Sequence, residues 1–336
     1  MAAANQPERR NGSSKPKEEE EEEEEASSMQ GRFTLEEGSL VPSIPLVLQQ
    51  NFWFDPELLK SVQLVRARFV PRPDDTILAT FPKCGTTWLK ALAFAITSRS
   101  RHTFARHPLL TRHPPDVVPF LELPNWQIRP AAELEAIPSP RLLATHMPLS
   151  LLPESVTTVG CRLVYVCREP KDAFVSKWHF ENKVSKQLFV ELGQSFHLFC
   201  EGVSFAGPIW DHYLEYWNES KARPGKVLFL KYEEMTANPV KEVKRLADFL
   251  GHPFTDEEEG SGVVDQVVRL CSFENLTSLE VNSTGVADRI GGFPMENSTY
   301  FRRGNVGDWV NYLSREMAQQ LDGIVEEKLK GSGLTL

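Results

Sequence analysis

Fifteen residues, Thr76 to Lys90, constrain this chain more than any other stretch. They open as a β-rich apolar strand, break at Phe81-Pro82 and turn tightly at Gly85. The chain continues as an amphipathic run from Thr87 to Thr97, whose apolar positions repeat at helical spacing. Such a turn leaves the first N–H groups of the helix without partners and aims the positive end of its dipole at the loop, so an anion can dock there. Lys83 adds a cation, and Thr86 and Thr87 add hydroxyls that can cap the helix or donate to the same anion. A capped helix behind a buried strand, with Lys83 solvated, fits the same residues, but a strand-to-helix loop needs neither the lysine nor the paired threonines to close.

The chain has 336 residues, 41% of them hydrophobic and 20 of them Phe, enough for a substantial core in one large domain or two small ones. Its formal charge is −9, yet residues 1–30 hold nine acids and four bases, so the remainder carries only −4. No basic run suggests a nucleic-acid surface, so an anionic ligand has to be met by a few placed cations. The five cysteines show no paired CxxC spacing, which argues against a disulfide frame or a zinc site and for a reducing compartment. Cys84 reads as structural despite its place beside Lys83. The first residues lack an apolar h-region and no eighteen apolar residues run together, so a cytoplasmic protein without a membrane partner is expected. The Glu18–Glu25 run marks residues 1–40 as a disordered acidic tail ahead of a folded unit over 41–336; docking to a basic partner is its alternative use.

Phe52 to Pro56 is expected to start a short helix reaching Gln63, capped by Asp55, its aromatics serving either the core or a pocket rim. Arg101 to Pro140 is long and irregular, the character of a lid or binding loop; His102, His107 and His113 lack ligand spacing and read as surface residues. A short strand from Arg141 stops at His146 and Pro148. If it lies parallel to the first strand, His146 stands beside the anion, as a structural histidine or a chemical one. Cys161 to Cys167 is a third strand ending at Arg168, with a helix from Ala173 to Lys183 started by Asp172. Arg168 suits a phosphate monoester, with Ser176 one turn into the helix, or else it pairs with Glu169 or Asp172 on the surface. The aromatic stripe from Trp210 to Trp217 reads as core, and Lys226 to Lys231 as a fourth strand leading to Tyr232. A helix from Pro239 to Leu250 stops at Gly251, with Lys241, Glu242, Lys244 and Arg245 outward. A loop holding Arg302, Arg303, Gly304 and Gly307 precedes a terminal helix from Ser314 to Lys330.

The loop at Lys83 is not the nucleoside triphosphate loop, in which Lys and Ser or Thr follow a second glycine; a magnesium–ATP kinase is therefore disfavoured. The order Pro82, Lys83, Cys84, Gly85, Thr86, Thr87, Trp88 instead resembles the 5′-phosphosulfate loop of the cytosolic sulfotransferases, the plant soluble members above all, over roughly Phe52 to Lys330. The resemblance implies a single α/β domain with a mainly parallel central sheet flanked by helices. It also implies use of 3′-phosphoadenosine 5′-phosphosulfate (PAPS), without a metal, to sulfate a hydroxyl of a small organic acceptor. It assigns Lys83, Cys84, Gly85, Thr86, Thr87 and Trp88 to the 5′ side, with Lys83 also catalytic. His146, within a Thr-His-x-Pro motif, becomes the catalytic base. Arg168, Ser176, Arg302, Arg303 and Gly304 fall to the 3′-phosphate, Tyr232 to the nucleotide, and Ser272 and Phe273 to the adenine segment. Animal relatives often carry Lys two residues before the histidine, where this chain has Ala144. Val310, Ser314, Arg315 and Gln319 stand where those relatives carry a dimerisation motif, so a monomer is expected. Trp53, Trp178, Phe180 and Phe205 are candidates for an apolar acceptor pocket. A small-metabolite kinase and a silent nucleotide-binding module, which would not require His146, are the alternatives.

Overall fold

The computed structural model describes residues 46–123, 131–184, 189–288 and 294–336; the acidic tail expected over 1–40 lies outside them. Near the start of the described chain, strands β1 (Val47–Gln49) and β2 (Phe52–Phe54) pair antiparallel around Gln50 and Asn51, both at positive φ as tight hairpin turns require. Phe52 therefore opens a strand rather than a helix. Helix α1 begins at Pro56, capped by the Asp55 carboxylate, and runs to Arg68, five residues past the expected end at Gln63.

The central sheet is built from β3 (Thr76–Thr80), β4 (Leu142–Thr145), β5 (Arg162–Cys167) and β6 (Val227–Lys231), all parallel, in the order β4-β3-β5-β6. Alternate residues feed opposite layers. Ile77, Ala79, Leu143, Leu163, Tyr165 and Phe229 join one core cluster, and Leu78, Ala144, Val164, Val166 and Leu230 the other. Burial on both faces is what makes these strands read as continuous apolar runs. Helices α2 (Thr86–Ser98), α7 (Pro239–Leu250) and α8 (Val263–Leu270) contribute to the second layer. The first is covered by α1, α3 (Pro170–Val184), α4 (Leu192–Cys200), α5 (Ile209–Ala222) and α10 (Arg315–Leu329). Among the short helices between β6 and the last helix are α6 (Tyr232–Ala237) and α9 (Phe273–Ser278).

From β3 the chain first adds a neighbour on one side, β4, and then on the other, β5. In an open parallel sheet this reversal leaves a crevice beyond the carboxyl ends of the two central strands. Thr80, Thr145 and Cys167 therefore end at one edge, and the residues after them face a common space. At the opposite edge a fully buried Arg141–Asp75 ion pair ties the starts of β3 and β4 together, and Arg141 also donates to the Val70 carbonyl at 2.9 Å.

Four expectations are corrected. His107 and His113 are buried, not surface residues: His107 bonds Ser98 Oγ at 3.1 Å, and His113 Nδ1 meets Asn282 Oδ1 at 2.7 Å. Glu242 is buried on α7, paired to Arg245 at 3.2 Å. Helix α3 starts at Pro170, so Asp172 lies inside its first turn. The cap of α2 is Gly85, and neither Thr86 nor Thr87 caps it through a side chain.

Candidate active site

The loop after β3 is shaped by backbone conformations that side chains resist. Gly85 sits at φ 96°, and a Cβ there would lie 2.8 Å from the Tyr232 ring; Lys83 also takes a positive φ, 69°, uncommon for a non-glycine residue. Thr86 turns its hydroxyl to Thr80 Oγ1, 2.6 Å away, so the first N–H groups of α2 carry no side-chain cap and remain able to receive an anion. Cys84 is fully buried with its sulfur 3.2 Å from the Tyr213 hydroxyl, and burial pushes its thiol up to about 12, which supports the structural reading. Lys83 Nζ lies 4.0 Å from the centre of the Phe180 ring. Burial above all, then repulsion from Arg168 and Arg302, lowers its pKa to about 7.

Arg168 follows β5 and reaches back across the crevice. It donates to the Lys83 carbonyl at 3.2 Å and to the Asn305 carbonyl at 2.9 Å, while its guanidinium lies 4.6 Å from the Tyr232 ring centre. The ion pair with Asp172 exists at 3.9 Å, but both groups are buried rather than on the surface. The Asp172 carboxylate also accepts the N–H groups of Gly307 at 2.6 Å and Trp309 at 3.0 Å, fastening the C-terminal basic loop to α3. Ser176 is buried farther along that helix. Tyr232 completes the junction, donating to the Gly304 carbonyl at 3.0 Å with Trp88 edge-on at 5.6 Å.

In the basic loop, Arg302 and Arg303 both pair with Asp308; Arg303 is half exposed and Arg302 less so. Gly304 is required where it stands, since a Cβ there would come within 2.6 Å of the Phe273 ring. Ser272 caps α9 by accepting from Asn275 N at 3.1 Å, and Phe273 lies edge-on to Phe301. The buried Nε atoms of Arg168 and Arg302 have no hydrogen-bond partner among the described residues. A phosphate oxygen suits such orphaned donors, so the residues present fit a doubly anionic nucleotide.

His146 is held from three directions. Its Nδ1 lies 2.8 Å from the Thr80 carbonyl, which can only accept, so Nδ1 carries the proton and Nε2 keeps its lone pair. Its backbone N–H donates to Glu122 Oε1 at 2.7 Å, and its carbonyl accepts from His212 Nε2 at 3.0 Å; His212 Nδ1 in turn meets the Tyr165 hydroxyl at 2.7 Å. Burial chiefly drives the His146 pKa down to about 3, so the ring is neutral at physiological pH. Ala144 is buried in the core and supplies no cation.

Thus Lys83, Arg168, Tyr232 and the Gly304 loop are joined by direct bonds, and His146 is fixed to the end of the same strand, β3. Phe180 borders Lys83, whereas Trp178 packs on His179 and Phe189, and Trp53 bridges Phe205 beside β2. Asn305 and Glu122 were missed from the sequence, His212 and Tyr213 were read only as part of the core stripe, and Asp172 only as a helix start or surface partner of Arg168. Their bonds to Gly307, Trp309, Arg168 and His146 join segments far apart in the chain, which spacing does not reveal. No group of three or more possible metal ligands occurs among the described residues, nor does any helix there suffice to cross a membrane.

A family model described as Sulfotransferase domain matches residues 73–333. Cytosolic sulfotransferase 8 of Arabidopsis thaliana is 44% identical over 312 residues, covering 90% of this chain and 93% of the relative. A crystal structure assigned to an Arabidopsis thaliana sulphotransferase superposes with a TM-score of 0.72 at 36% identity, covering 97% of this chain and 99% of that one. A mouse sulfotransferase complexed with PAP gives 0.68 at 26% identity, over 86% and 95% of the two chains. With its parallel sheet, its anion loop and matches of this extent, the chain belongs to the sulfotransferase family, in its plant-type cytosolic branch.

Proposed function

We propose that the crevice described above is the catalytic centre of this PAPS-dependent sulfotransferase. Lys83 and the first N–H groups of α2 hold the 5′-phosphosulfate, and Arg168, Ser176, Arg302 and Arg303 hold the 3′-phosphate. When bound, PAPS supplies a sulfuryl group on a phosphate leaving group. His146 Nε2 takes the proton of the acceptor hydroxyl as its oxygen bonds to sulfur, a role worth about 10²–10⁴ in rate. Lys83 donates to the phosphate oxygen that keeps the electron pair when its bond to sulfur breaks, placing positive charge where negative charge develops. Lys83, Arg168 and Arg302 provide that charge without a metal. Tyr232, Gly304 and Phe273 form a wall for the adenylate.

One observation carries this reading above the others. Arg168 donates to the carbonyl of Lys83, so the cations assigned to opposite ends of PAPS come from adjacent strand ends, with His146 bonded to the end of the same central strand. The rings at Phe120 and Phe180, against His146 and Lys83, favour an apolar acceptor: a phenolic, flavonoid, steroid or hormone-like alcohol. We further take residues 41–336 as one domain working as a cytosolic monomer. Incubation with ³⁵S-labelled PAPS and such alcohols tests the activity; label should reach an acceptor hydroxyl with ATP and magnesium absent. Uptake of 3′-phosphoadenosine 5′-phosphate (PAP) without transfer to any acceptor would favour a silent binding module. Transfer only from ATP with magnesium would favour a kinase. Light scattering that shows a stable dimer would overturn the monomer.

A further inference from the structure

The segment Pro119 to Glu122 runs beside β4 like a strand: Ala144 N donates to the Pro119 carbonyl and Leu121 N to the Ala144 carbonyl, each at 2.8 Å, with Phe120 in parallel register with Ala144. Two residues on, that register sets Glu122 beside His146. Where a backbone carbonyl would ordinarily take the next N–H, a carboxylate does so. Glu122 Oε1 accepts from His146 N, and Oε2 accepts from the Thr145 hydroxyl at 2.9 Å, whose oxygen in turn accepts from Met147 N at 2.9 Å. A single side chain thus fixes the backbone of Thr145, His146 and Met147. Phe120, whose ring lies 4.8 Å from that of His146, also carries the ammonium of Lys90 at 3.3 Å from its centre. Glu122 is 1% exposed and Lys90 0%.

Burying an ion costs several kcal/mol even after the surroundings relax. Burial raises the Glu122 carboxyl above the ordinary range, while the His146 N–H, the Thr145 hydroxyl and Lys90 favour its ionised form. A neutral amide offers one acceptor oxygen where the carboxylate serves two donors, and an apolar side chain could fill the space over Phe120 without a charge. We propose that Glu122 and Lys90 are positioning residues for sulfuryl transfer: Glu122 fixes the backbone that carries His146, so that Nδ1 stays on the Thr80 carbonyl and Nε2 is directed at the acceptor hydroxyl, and the ammonium of Lys90, seated on the Phe120 ring, opposes a charge on the imidazole. The inference rests on the reading of His146 as base. The groups bearing on that imidazole are Lys83 from the anion loop, Lys90 from α2, His212 from α5 and the Thr80 carbonyl from β3, with Glu122 on its backbone. Burial above all, then Lys90, His212 and Lys83, opposes a protonated ring, and the Thr80 carbonyl favours one.

The test uses the whole chain with Glu122→Gln and Lys90→Met. Gln can accept from only one of the two donors, and Met keeps most of the stem while removing the charge. Expected for Glu122→Gln is a loss of about tenfold or more in kcat, PAP affinity within about twofold, and ¹⁵N shifts showing a mixture of imidazole tautomers where the wild type shows one. Expected for Lys90→Met is a rise of about one unit in the midpoint of the His146 titration. If Glu122→Gln does not fold, the titration in Lys90→Met decides alone. A kcat within about threefold of wild type, an unmixed tautomer and an unmoved midpoint would overturn the proposal while His146→Ala stays inactive. An active His146→Ala would instead reject the base on which it rests.

Discussion

Lys83 must be charged to hold PAPS, yet burial and two neighbouring guanidinium groups bring its pKa from 10.5 to about 7, so at neutral pH the ligand-free protein carries that charge about half of the time. An arriving nucleotide reverses the causes, setting anions beside the ammonium and neutralising Arg168 and Arg302. If binding restores Lys83 to its ordinary value, the complex takes up about half a proton at pH 7 and about 0.9 at pH 8. Affinity then weakens by about tenfold for each pH unit above 7 until the pKa of the complex is passed. Calorimetry with PAP at pH 8, in two buffers of different ionisation enthalpy, reads the uptake directly. Other groups contribute little there. His146 and His212, at about 3 and about 4, would need to rise by four units, and the second ionisation of a phosphate, at about 6, is complete. Lys83→Arg, always charged, should bind with uptake near zero. Uptake below about 0.2 protons in the wild type, or equal uptake in Lys83→Arg, would refute the reasoning. For folding the sign is opposite to that of a salt-bridged lysine. Between about 7 and 10.5 the unfolded chain binds the extra proton, so Lys83 makes the ligand-free protein more stable as pH rises through that window.

His146→Ala should lower turnover by about 10²–10⁴ while PAP affinity, read by calorimetry, stays within about twofold; activity within about tenfold of wild type would reject the base. Arg168→Gln should weaken PAP binding by about 100-fold, because the buried guanidinium also joins Lys83 to the Asn305 loop, and the half-exposed Arg303→Gln by only about fivefold; equal losses would contradict that ranking. Arg141→Met leaves the buried Asp75 without its guanidinium, the Arg72 N–H still donating to it at 2.7 Å, and should cost about 3–5 kcal/mol in urea unfolding; a loss below about 1 kcal/mol would show that the pair is dispensable. Gly85→Ala meets both a left-handed backbone and Tyr232, so PAP affinity should fall by about tenfold or more, and unchanged affinity would deny the loop its shape.

The anion loop, the four central strands and the cations at their ends were legible because they rest on short-range rules. Strand propensity, a glycine at positive φ and an arginine closing an apolar run can each be read within a few residues. Misreadings arose where packing or pairing in the folded chain, not local propensity, decides. His113 looked like a surface residue until Asn282, 169 positions away, turned out to receive it. Glu242 sits on the outer stripe by composition but is buried against α7's own Arg245. Phe52 to Phe54, aromatic enough for either element, became a strand because β1 pairs with it.

By itself the amino-acid order determined the strand-turn-helix at Lys83, the family and the set of charged residues from which a site could be made. Only the folded chain decided what those residues are at working pH. Lys83 has its lowered pKa because the fold buries it and brings Arg168 and Arg302 beside it, and His146 presents a free Nε2 because Thr80, Glu122 and His212 converge on it from three segments. Local propensity acts along a few bonds, whereas burial and electrostatic coupling act through space, and no spacing within the chain encodes them.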